Sequence, residues 1–279
     1  MAQIKVMING LPGNVATVIA RHFIRNPRFQ VLPYALTGPD IAASHCTIDG
    51  MAIALIRPAD QEREITAIIS AEGSFISIDY THPSAVNANA DFYCRHQLPF
   101  VMGTTGGDRE RLSAKVAQSG CVAVIAPNMA KEIVGFQAMM AYAAENFPGL
   151  FKDYRLTVRE SHQAGKADTS GTAKAMVSYF NRMGIAFNAD QIEMERDPQR
   201  QLNQWGIPAD YLSGHAWHTY TLVSPDETVR FEFTHNINGR EVYGGGTMDA
   251  VRFLSAKVSE GVKSRAYSMI DVMKAGEMS

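Results

Sequence analysis

The stretch "IKVMINGLPGNVATVIARHFI", residues 4–24, carries the strongest fold signal in the chain. Residues 4–8 form a short apolar run that is typical of a buried strand. Gly10 and Gly13 follow in a turn. The next residues recur at helical spacing: Val15, Val18, Ile19, His22 and Phe23. A strand, a glycine turn and a helix in this order open a βαβ unit, whose helix N-terminus can hold a pyrophosphate.

The glycine turn departs from the strict G-x-G-x-x-G pattern. Pro12 takes the place of the second glycine and Ala16 takes the last position. The turn still stands at the first strand–helix junction, which favours a dinucleotide site over a plain turn. The predicted cofactor contacts here are Gly10, Pro12, Gly13, Asn14 and Val15.

The next hundred residues continue the alternation of apolar runs and helical patterns. The predicted strands are "FQVLPYAL" (29–36), "FISIDY" (75–80), "LPFVMGT" (98–104) and "CVAVIAP" (121–127). Such alternation predicts an α/β fold with a Rossmann-like, doubly wound parallel sheet.

Loops that follow these strands should lie together, because ligands bind outside the carboxyl ends of the strands in an open α/β sheet. "GTTGGD" (103–108) could place its backbone against a flat nicotinamide ring, although a glycine-rich turn without a ligand is the alternative. Further predicted cofactor contacts are Gly103, Thr104, Thr105, Pro127, Asn128 and Met129.

The end of the second predicted strand bears on the choice of cofactor. NAD-binding sites usually carry Asp or Glu there, whereas this chain has Thr37 and Gly38 in "YALTGPD". Without a carboxylate, a 2′-phosphate meets no repulsion. The sequence therefore predicts NADPH as the preferred cofactor, with NADH possible.

The pattern changes near residue 154. "YRLTVRE" is strand-like, and a helix at 173–183 with one apolar face should stop at Gly184. "HAWHTYTLVS" and "TVRFEFTHNI" flank "PDE" as a hairpin, and a last helix is predicted at roughly 247–274. We predict a dinucleotide-binding domain of residues 1–130 plus 247–279 and a substrate domain of residues 131–246 built on a mixed sheet.

"RESHQAGKADTSGTAKA", residues 159–175, combines His162 and Lys166 with a Ser-Gly-Thr turn before the helix. The simplest interpretation is a helix cap, since Ser170 and Thr172 are both good capping residues. The open N–H groups at Gly171 also suit a carboxylate or phosphate. A histidine, a lysine and an anion-holding turn this close together favour a functional site.

"ESHQAGKADTSGTAKA" resembles the signature of the dihydrodipicolinate reductase family in its plant-type branch. Typical bacterial members have E-x-H-H-x-x-K-x-D-x-P-S-G-T-A, whereas this chain has Gln163 for the second histidine and lacks the proline. "GLPGNVA", "GTTGG" and the stretch from "SGHAWHTY" to "GGGTMDAV" also resemble this family, so the resemblance covers most of the chain.

The resemblance implies NAD(P)H-dependent reduction of a cyclic imine dicarboxylate in lysine biosynthesis. It implies that His162 is the general acid, that Lys166 stabilises negative charge, and that Ser170, Gly171 and Thr172 hold a substrate carboxylate. Glu160 would either orient the histidine or form a surface salt bridge. A homo-oligomer, dimer or tetramer, is also implied.

Two other functions stay open at this point. One is a reductase of the same architecture that acts on another cyclic imine or keto acid, because the fold does not fix the substrate. The other is a protein that senses NADPH without turnover. His162 and Lys166 argue against a sensor, which needs no proton donor.

Composition excludes several classes of partner. A net charge of −2, a pI near 6.4 and scattered basic residues predict no binding to nucleic acid or to an anionic membrane. No apolar stretch is long enough to span a bilayer and no targeting signal is visible, so a cytosolic protein is expected. No metal site is predicted, because His215 and His218 should point to opposite faces of a strand. The three cysteines are expected to be free thiols.

Overall fold

The structure is a computed structural model that describes residues 3–276. The chain forms two compact units, one of residues 1–131 with 241–279 and one of residues 132–240. The first unit begins with β1 (Ile4–Asn9), α1 (Asn14–Arg25), β2 (Phe29–Val31), β3 (Tyr34–Leu36), β4 (His45–Ile48), β5 (Met51–Ile56), α2 (Gln61–Glu72), β6 (Ile76–Asp79), α3 (Val86–Arg95), β7 (Phe100–Met102), α4 (Arg109–Ser119) and β8 (Val122–Ile125). The chain continues through α5 (Lys131–Asn146), β9 (Arg155–His162), α6 (Gly171–Arg182), β10 (Glu193–Glu195), α7 (Pro198–Asn203), β11 (His215–Val223) and β12 (Arg230–Asn238). It ends with α8 (Val242–Ser259), β13 (Arg265–Tyr267) and α9 (Met269–Lys274), which belong to the first unit.

The first unit contains a parallel sheet with the strand order β13-β8-β7-β6-β1-β2. Strands β6 and β7 are buried along their whole length, as expected for strands covered by helices on both faces. Strand β1 lies between β2 and β6, so connections leave it in both directions and create a switch point beside the glycine turn. The predicted Rossmann-like fold is confirmed.

Two sequence predictions for this unit are wrong. "FQVLPYAL" is not one strand: it breaks before Pro33, which has no N–H to donate to a ladder, and β3 joins a separate sheet of order β3-β5-β4. The last helix does not run from 247 to 274. It ends at Ser259, the chain turns through Gly261 with φ +74°, and β13 then adds to the edge of the main sheet.

The second unit is built on a mixed sheet of order β10-β9-β11-β12. Strand β9 is parallel to β10 and antiparallel to β11, and β11 forms the predicted hairpin with β12. Helix α6 begins at Gly171, slightly before the predicted start at residue 173, and it is followed, as predicted, by Gly184 with φ +103°. The buried core of this unit draws on α5, α6 and one face of β9 and β11: Met140, Ala144, Leu156, Val158, Met176, Val177, Phe180, Tyr220 and Leu222.

The three cysteines are reduced, as expected from their wide spacing in the sequence. Cys94 and Cys121 are buried, Cys46 is partly buried, and all three are free thiols. Within residues 3–276, every helix is too short or too polar to cross a membrane.

Candidate active site

The candidate site lies where the core-facing side chains of β9 and β11 change from apolar to polar. Val158 pairs with Tyr220 across the two strands, and two residues further along Glu160 pairs with His218. His162 follows on the same face of β9, because alternate residues of a strand share a face. Glu160 and His218 are 0% and 2% exposed, so the sheet carries a buried polar cluster at this end.

Glu160 is the centre of this cluster. One carboxylate oxygen accepts a hydrogen bond from Arg196 Nη2 at 2.7 Å, and the Ser170 N–H donates to both oxygens at 3.3 and 3.1 Å. Because Glu160 is fully buried, the alternative of a surface salt bridge is excluded. The His162 Nδ1 atom lies 3.8 Å from the carboxylate, which is close enough for electrostatic interaction but too long for a hydrogen bond.

His162 lies at the end of β9 and is 7% exposed. Its carbonyl accepts a hydrogen bond of 2.7 Å from Gln201 Nε2, while Nδ1 has no partner among residues 3–276. Burial, together with the charges of Arg196 and Lys166, lowers the pKa of His162 to about 3. The imidazole of the free protein is therefore neutral at physiological pH.

Lys166 lies in the loop between β9 and α6. Its side chain is 22% exposed and forms a 2.7 Å ion pair with Asp168, which is 77% exposed. Arg196 Nε donates to the Lys166 carbonyl at 2.8 Å and so ties this loop to the buried cluster. The ammonium group can exchange an exposed partner for a ligand at little cost.

The Ser170–Thr172 turn divides its polar groups between the protein and the solvent side. The Ser170 hydroxyl caps α6 by accepting from Ala173 N, and it also bonds to His218 Nε2 at 3.0 Å. Gly171 is exposed and Thr172 is partly buried. Their N–H groups belong to the first turn of a helix, where the helix itself supplies no acceptor, so they are available to an anion.

Three side chains of this cluster could each offer a ligand atom to a metal ion. Glu160, His162 and His218 each place one ligand atom within 4.8 Å of the others. However, Arg196 already brings a positive charge to Glu160, which opposes a second cation at the same carboxylate. His215 bonds to Ser161 Oγ on the other face of the sheet, so it does not share a site with His218.

The glycine turn of the first unit is crowded at Gly10 and open at the start of α1. A Cβ on Gly10, whose φ is +99°, would lie 2.1 Å from the Tyr80 carbonyl oxygen. Gly13 precedes α1 without any side-chain cap, which leaves the N–H groups of its first turn, including those of Asn14 and Val15, for an anion. Pro12 and Asn14 are exposed beside them.

A second buried carboxylate, Asp79 at the end of β6, joins the predicted cofactor loops. Its Oδ1 accepts from Thr81 Oγ1 at 2.8 Å and from Thr104 Oγ1 at 2.6 Å. Its Oδ2 accepts from Tyr93 at 2.7 Å and Asn89 at 2.9 Å. The Gly103 and Thr104 N–H groups also bond to the Asp79 carbonyl. The loop that begins at Gly103 is thereby fixed to the end of β6.

Most of the other predicted cofactor residues follow strands of the same sheet. Thr105 is exposed beyond Thr104, and Pro127, Asn128 and Met129 follow β8, which neighbours β7. Thr37 follows β3 rather than β2, but its hydroxyl donates to the Leu11 carbonyl at 2.7 Å and so contacts the glycine turn.

Sequence reasoning missed Arg196, His218 and Asp79. Arg196 had no local signal, because it contacts Glu160 across 36 residues. His218 could have been found from the predicted hairpin: a turn centred on "PDE" pairs it with His235, and this pairing is observed. Asp79 could have been noticed as an acid at the end of an otherwise apolar strand.

Comparison with known proteins agrees with this architecture. Residues 4–129 match the family model "Dihydrodipicolinate reductase, N-terminus" and residues 133–273 match "Dihydrodipicolinate reductase, C-terminus". The chain is 43% identical over 273 residues to the probable 4-hydroxy-tetrahydrodipicolinate reductase 1, chloroplastic, of Oryza sativa subsp. japonica, covering 98% of this chain and 79% of the relative. It is 42% identical over 275 residues to 4-hydroxy-tetrahydrodipicolinate reductase 2, chloroplastic, of Arabidopsis thaliana, covering 99% and 78%.

More distant relatives extend the likeness. A 4-hydroxy-tetrahydrodipicolinate reductase of Janthinobacterium sp. (strain Marseille) is 27% identical over 283 residues, covering 98% of this chain and 99% of the relative. The fold resembles that of a dipicolinate-bound dihydrodipicolinate reductase from Paenisporosarcina sp. TG-14, with a TM-score of 0.66 at 17% identity, covering 95% and 97%.

The nucleotide-type sheet, the polar cluster and these relatives together define an NAD(P)H-dependent oxidoreductase. Within that class, the chain belongs to the dihydrodipicolinate reductase family. The higher identity to the plant relatives confirms the predicted resemblance to the plant-type branch.

Proposed function

We propose that this protein reduces 4-hydroxy-tetrahydrodipicolinate to tetrahydrodipicolinate with NAD(P)H, in the route to diaminopimelate and lysine. The substrate loses water and then gains one hydride and one proton. The first unit would bind the cofactor and the second unit the cyclic dicarboxylate. The observation that carries this proposal is the buried His162 beside Lys166 and the open helix turn at Gly171 and Thr172.

His162 would supply the proton, and it would become protonated only when the substrate binds. In the free protein, burial and then the charges of Arg196 and Lys166 lower its pKa to about 3. A bound dianion would offset these two charges and raise the pKa, so the imidazole would take up a proton as the dicarboxylate binds. The proton would then be positioned for transfer only when the substrate is present.

The carboxylates would be held by groups that the protein leaves available. Lys166 would exchange Asp168 for the ring nitrogen or a carboxylate of the substrate. The N–H groups of Gly171 and Thr172 at the positive end of α6 would hold a carboxylate, with Ser170 beneath them. Glu160 would stabilise this carboxylate-binding turn because it accepts a hydrogen bond from the Ser170 N–H.

The first unit fits a nicotinamide dinucleotide, which supplies the hydride when bound. The Gly10–Val15 turn would hold the pyrophosphate. A Cβ on Gly103 would lie 2.5 Å from the Tyr80 ring, so a larger residue there would force the ring or the loop to move. Residues Gly103 to Thr105 and Pro127 to Met129 would face the nicotinamide.

NADPH would be preferred over NADH. Thr37 offers no carboxylate to repel a 2′-phosphate. In addition, the Arg57 guanidinium bonds to the carbonyls of Ile41 and Ala42, which places a positive charge against the loop after Thr37. A cation there favours the extra phosphate of NADPH.

A coupled assay tests the proposed reaction. Purified protein is mixed with NADPH and with the product of dihydrodipicolinate synthase, and oxidation is followed at the nicotinamide absorbance. We expect turnover that depends on the synthase product. Oxidation that needs only NADPH, or turnover of a linear keto acid at a higher kcat/KM, would contradict the proposal.

The remaining proposals concern assembly and location. We propose a homo-oligomer, a dimer or tetramer. Among residues 3–276, one edge of β12 has no neighbouring strand in the sheet of the second unit. Light scattering after size exclusion measures this state. A cytosolic location also stays a proposal, since the rice and Arabidopsis relatives are named as chloroplastic.

A further inference from the structure

His218 is a buried group that the reaction described above does not use. It is 2% exposed, and its ring stacks on His235 at 4.6 Å and meets His162 edge to face at 5.1 Å. Its Nε2 atom lies 3.0 Å from Ser170 Oγ and 3.7 Å from Glu160 Oε2. Burial, followed by the charges and rings around it, keeps the pKa of His218 well below the usual range, so the ring is neutral and one nitrogen carries the proton.

The surroundings decide which nitrogen of His218 is protonated. Nδ1 is buried and has no hydrogen-bond partner among residues 3–276. A proton on Nδ1 would therefore be a buried donor without an acceptor, and the Nε2 lone pair would face the Glu160 carboxylate. With the proton on Nε2, the N–H points to Ser170 Oγ and lies near the carboxylate. The lack of an acceptor for Nδ1–H and the carboxylate beside Nε2 both favour the Nε2–H tautomer.

This tautomer fixes the direction of the Ser170 hydroxyl. Ser170 Oγ then accepts two hydrogen bonds, one from His218 Nε2 and one from Ala173 N. Because both lone pairs are occupied, the hydroxyl proton is left to donate, and no other hydrogen bond of Ser170 Oγ is found among the described residues. The hydroxyl can therefore donate a hydrogen bond to an anion that binds at the Ser170–Thr172 turn.

We infer that His218 is a positioning residue for the substrate: its Nε2–H holds the Ser170 hydroxyl so that the hydroxyl proton is donated to a substrate carboxylate. This inference rests on the proposed function, in which the turn at Ser170 binds a substrate carboxylate. It predicts that His218 acts on dicarboxylate binding through Ser170 rather than on proton transfer.

The test uses two replacements of nearly equal size. His218→Gln keeps an N–H donor at the position of Nε2, whereas His218→Met fills the same space without one. We expect His218→Met to raise the KM of the substrate and the Ki of pyridine-2,6-dicarboxylate about tenfold, the effect of losing one hydrogen bond to a charged group, with a much smaller change in kcat. His218→Gln should recover most of that loss. Should the methionine variant fail to fold, His218→Asn, which is too short to reach Ser170, replaces it.

The coupling to Ser170 gives the decisive readout. In a Ser170→Ala background, His218→Met should raise the KM no further, since the hydroxyl it positions is gone. Equal KM values for the Met and Gln variants, or an undiminished effect of His218→Met in Ser170→Ala, would overturn the inference. An inactive wild-type protein would instead contradict the proposed function, because all these variants are compared with an active parent.

Discussion

Each unit of this protein buries one carboxylate at the end of a strand, and the two are satisfied in different ways. Asp79 in the first unit and Glu160 in the second are both fully buried. Asp79 accepts from hydroxyl, amide and backbone donors, all of them neutral. Glu160 pairs with the Arg196 guanidinium and lies within 4 Å of two imidazoles.

The difference fits the task proposed for each region. Neutral donors around Asp79 hold two loops in one geometry, and they add no charge that would act on a neighbouring titratable group. Around Glu160, burial lowers the pKa of His162 and of His218, and the Arg196 charge lowers both further. A binding site for a cofactor needs fixed loops, whereas a site that transfers a proton needs a group whose pKa responds to the ligand.

The comparison is tested most strongly by replacing each carboxylate with its amide. Glu160→Gln leaves the Arg196 charge without its partner, so we expect the free energy of unfolding to fall by about 3 kcal/mol. Trp205 and Trp217 both lie in the second unit, so tryptophan fluorescence during urea unfolding reports this loss. The Kd for NADPH should hardly change.

Asp79→Asn is the matched control for that experiment. This replacement leaves no cation without a partner. However, the new side-chain amide N–H group faces the hydrogen-bond donors that surround Asp79, including the Thr104 hydroxyl. We therefore expect the Kd for NADPH to rise about tenfold, with the tryptophan transition little affected. The comparison is wrong if both amides weaken NADPH binding to the same extent.

The proposed proton-transfer role of the second region is tested by His162→Gln. Loss of a general acid should lower kcat by about 10²-fold or more. Lys166→Ala should cause similar damage, while the Kd for NADPH stays nearly constant in both variants. Near-normal turnover in both would reduce the stretch 159–175 to a helix cap.

The buried histidines predict how stability depends on pH. Burial lowers the pKa of His235 to about 4 and that of His162 to about 3, against 6.5 when unfolded. Below pH 6.5 the unfolded chain binds protons that the native protein does not, so stability falls with decreasing pH down to the native pKa values. Each histidine contributes a slope of about 1.4 kcal/mol per pH unit.

His235→Gln isolates one of these contributions. Urea unfolding followed by tryptophan fluorescence between pH 7.5 and pH 5 should show a shallower decline than in the wild type, by about one proton. Identical slopes in the two proteins would mean that His235 is not held neutral by its burial.

The smallest expected effect concerns the first region. Arg57 is exposed, so its contact with a 2′-phosphate would be screened by solvent. Arg57→Ala should raise the KM of NADPH about fivefold and leave the KM of NADH as it is. A parallel change for both cofactors would place Arg57 outside the recognition of the phosphate.

Much of the fold could be predicted because its signals are local. The strand–turn–helix at residues 4–25, the cap at Ser170 and the hairpin of β11 with β12 all follow from spacing within a few residues. The prediction failed at Pro33 and at Gly261, where one residue interrupted an otherwise continuous apolar pattern. At both places the elements before and after the residue were predicted correctly in part, but the interruption between them was not predicted.

The sequence by itself determined the class of fold, the glycine turn and the presence of His162 and Lys166 beside a helix N-terminus. Only the tertiary structure decided what surrounds them. Arg196 reaches Glu160 across 36 residues, and His218 reaches Ser170 across 48. Periodicity and capping record contacts within one turn or one strand, whereas burial and charge pairing depend on segments that meet only in the folded chain.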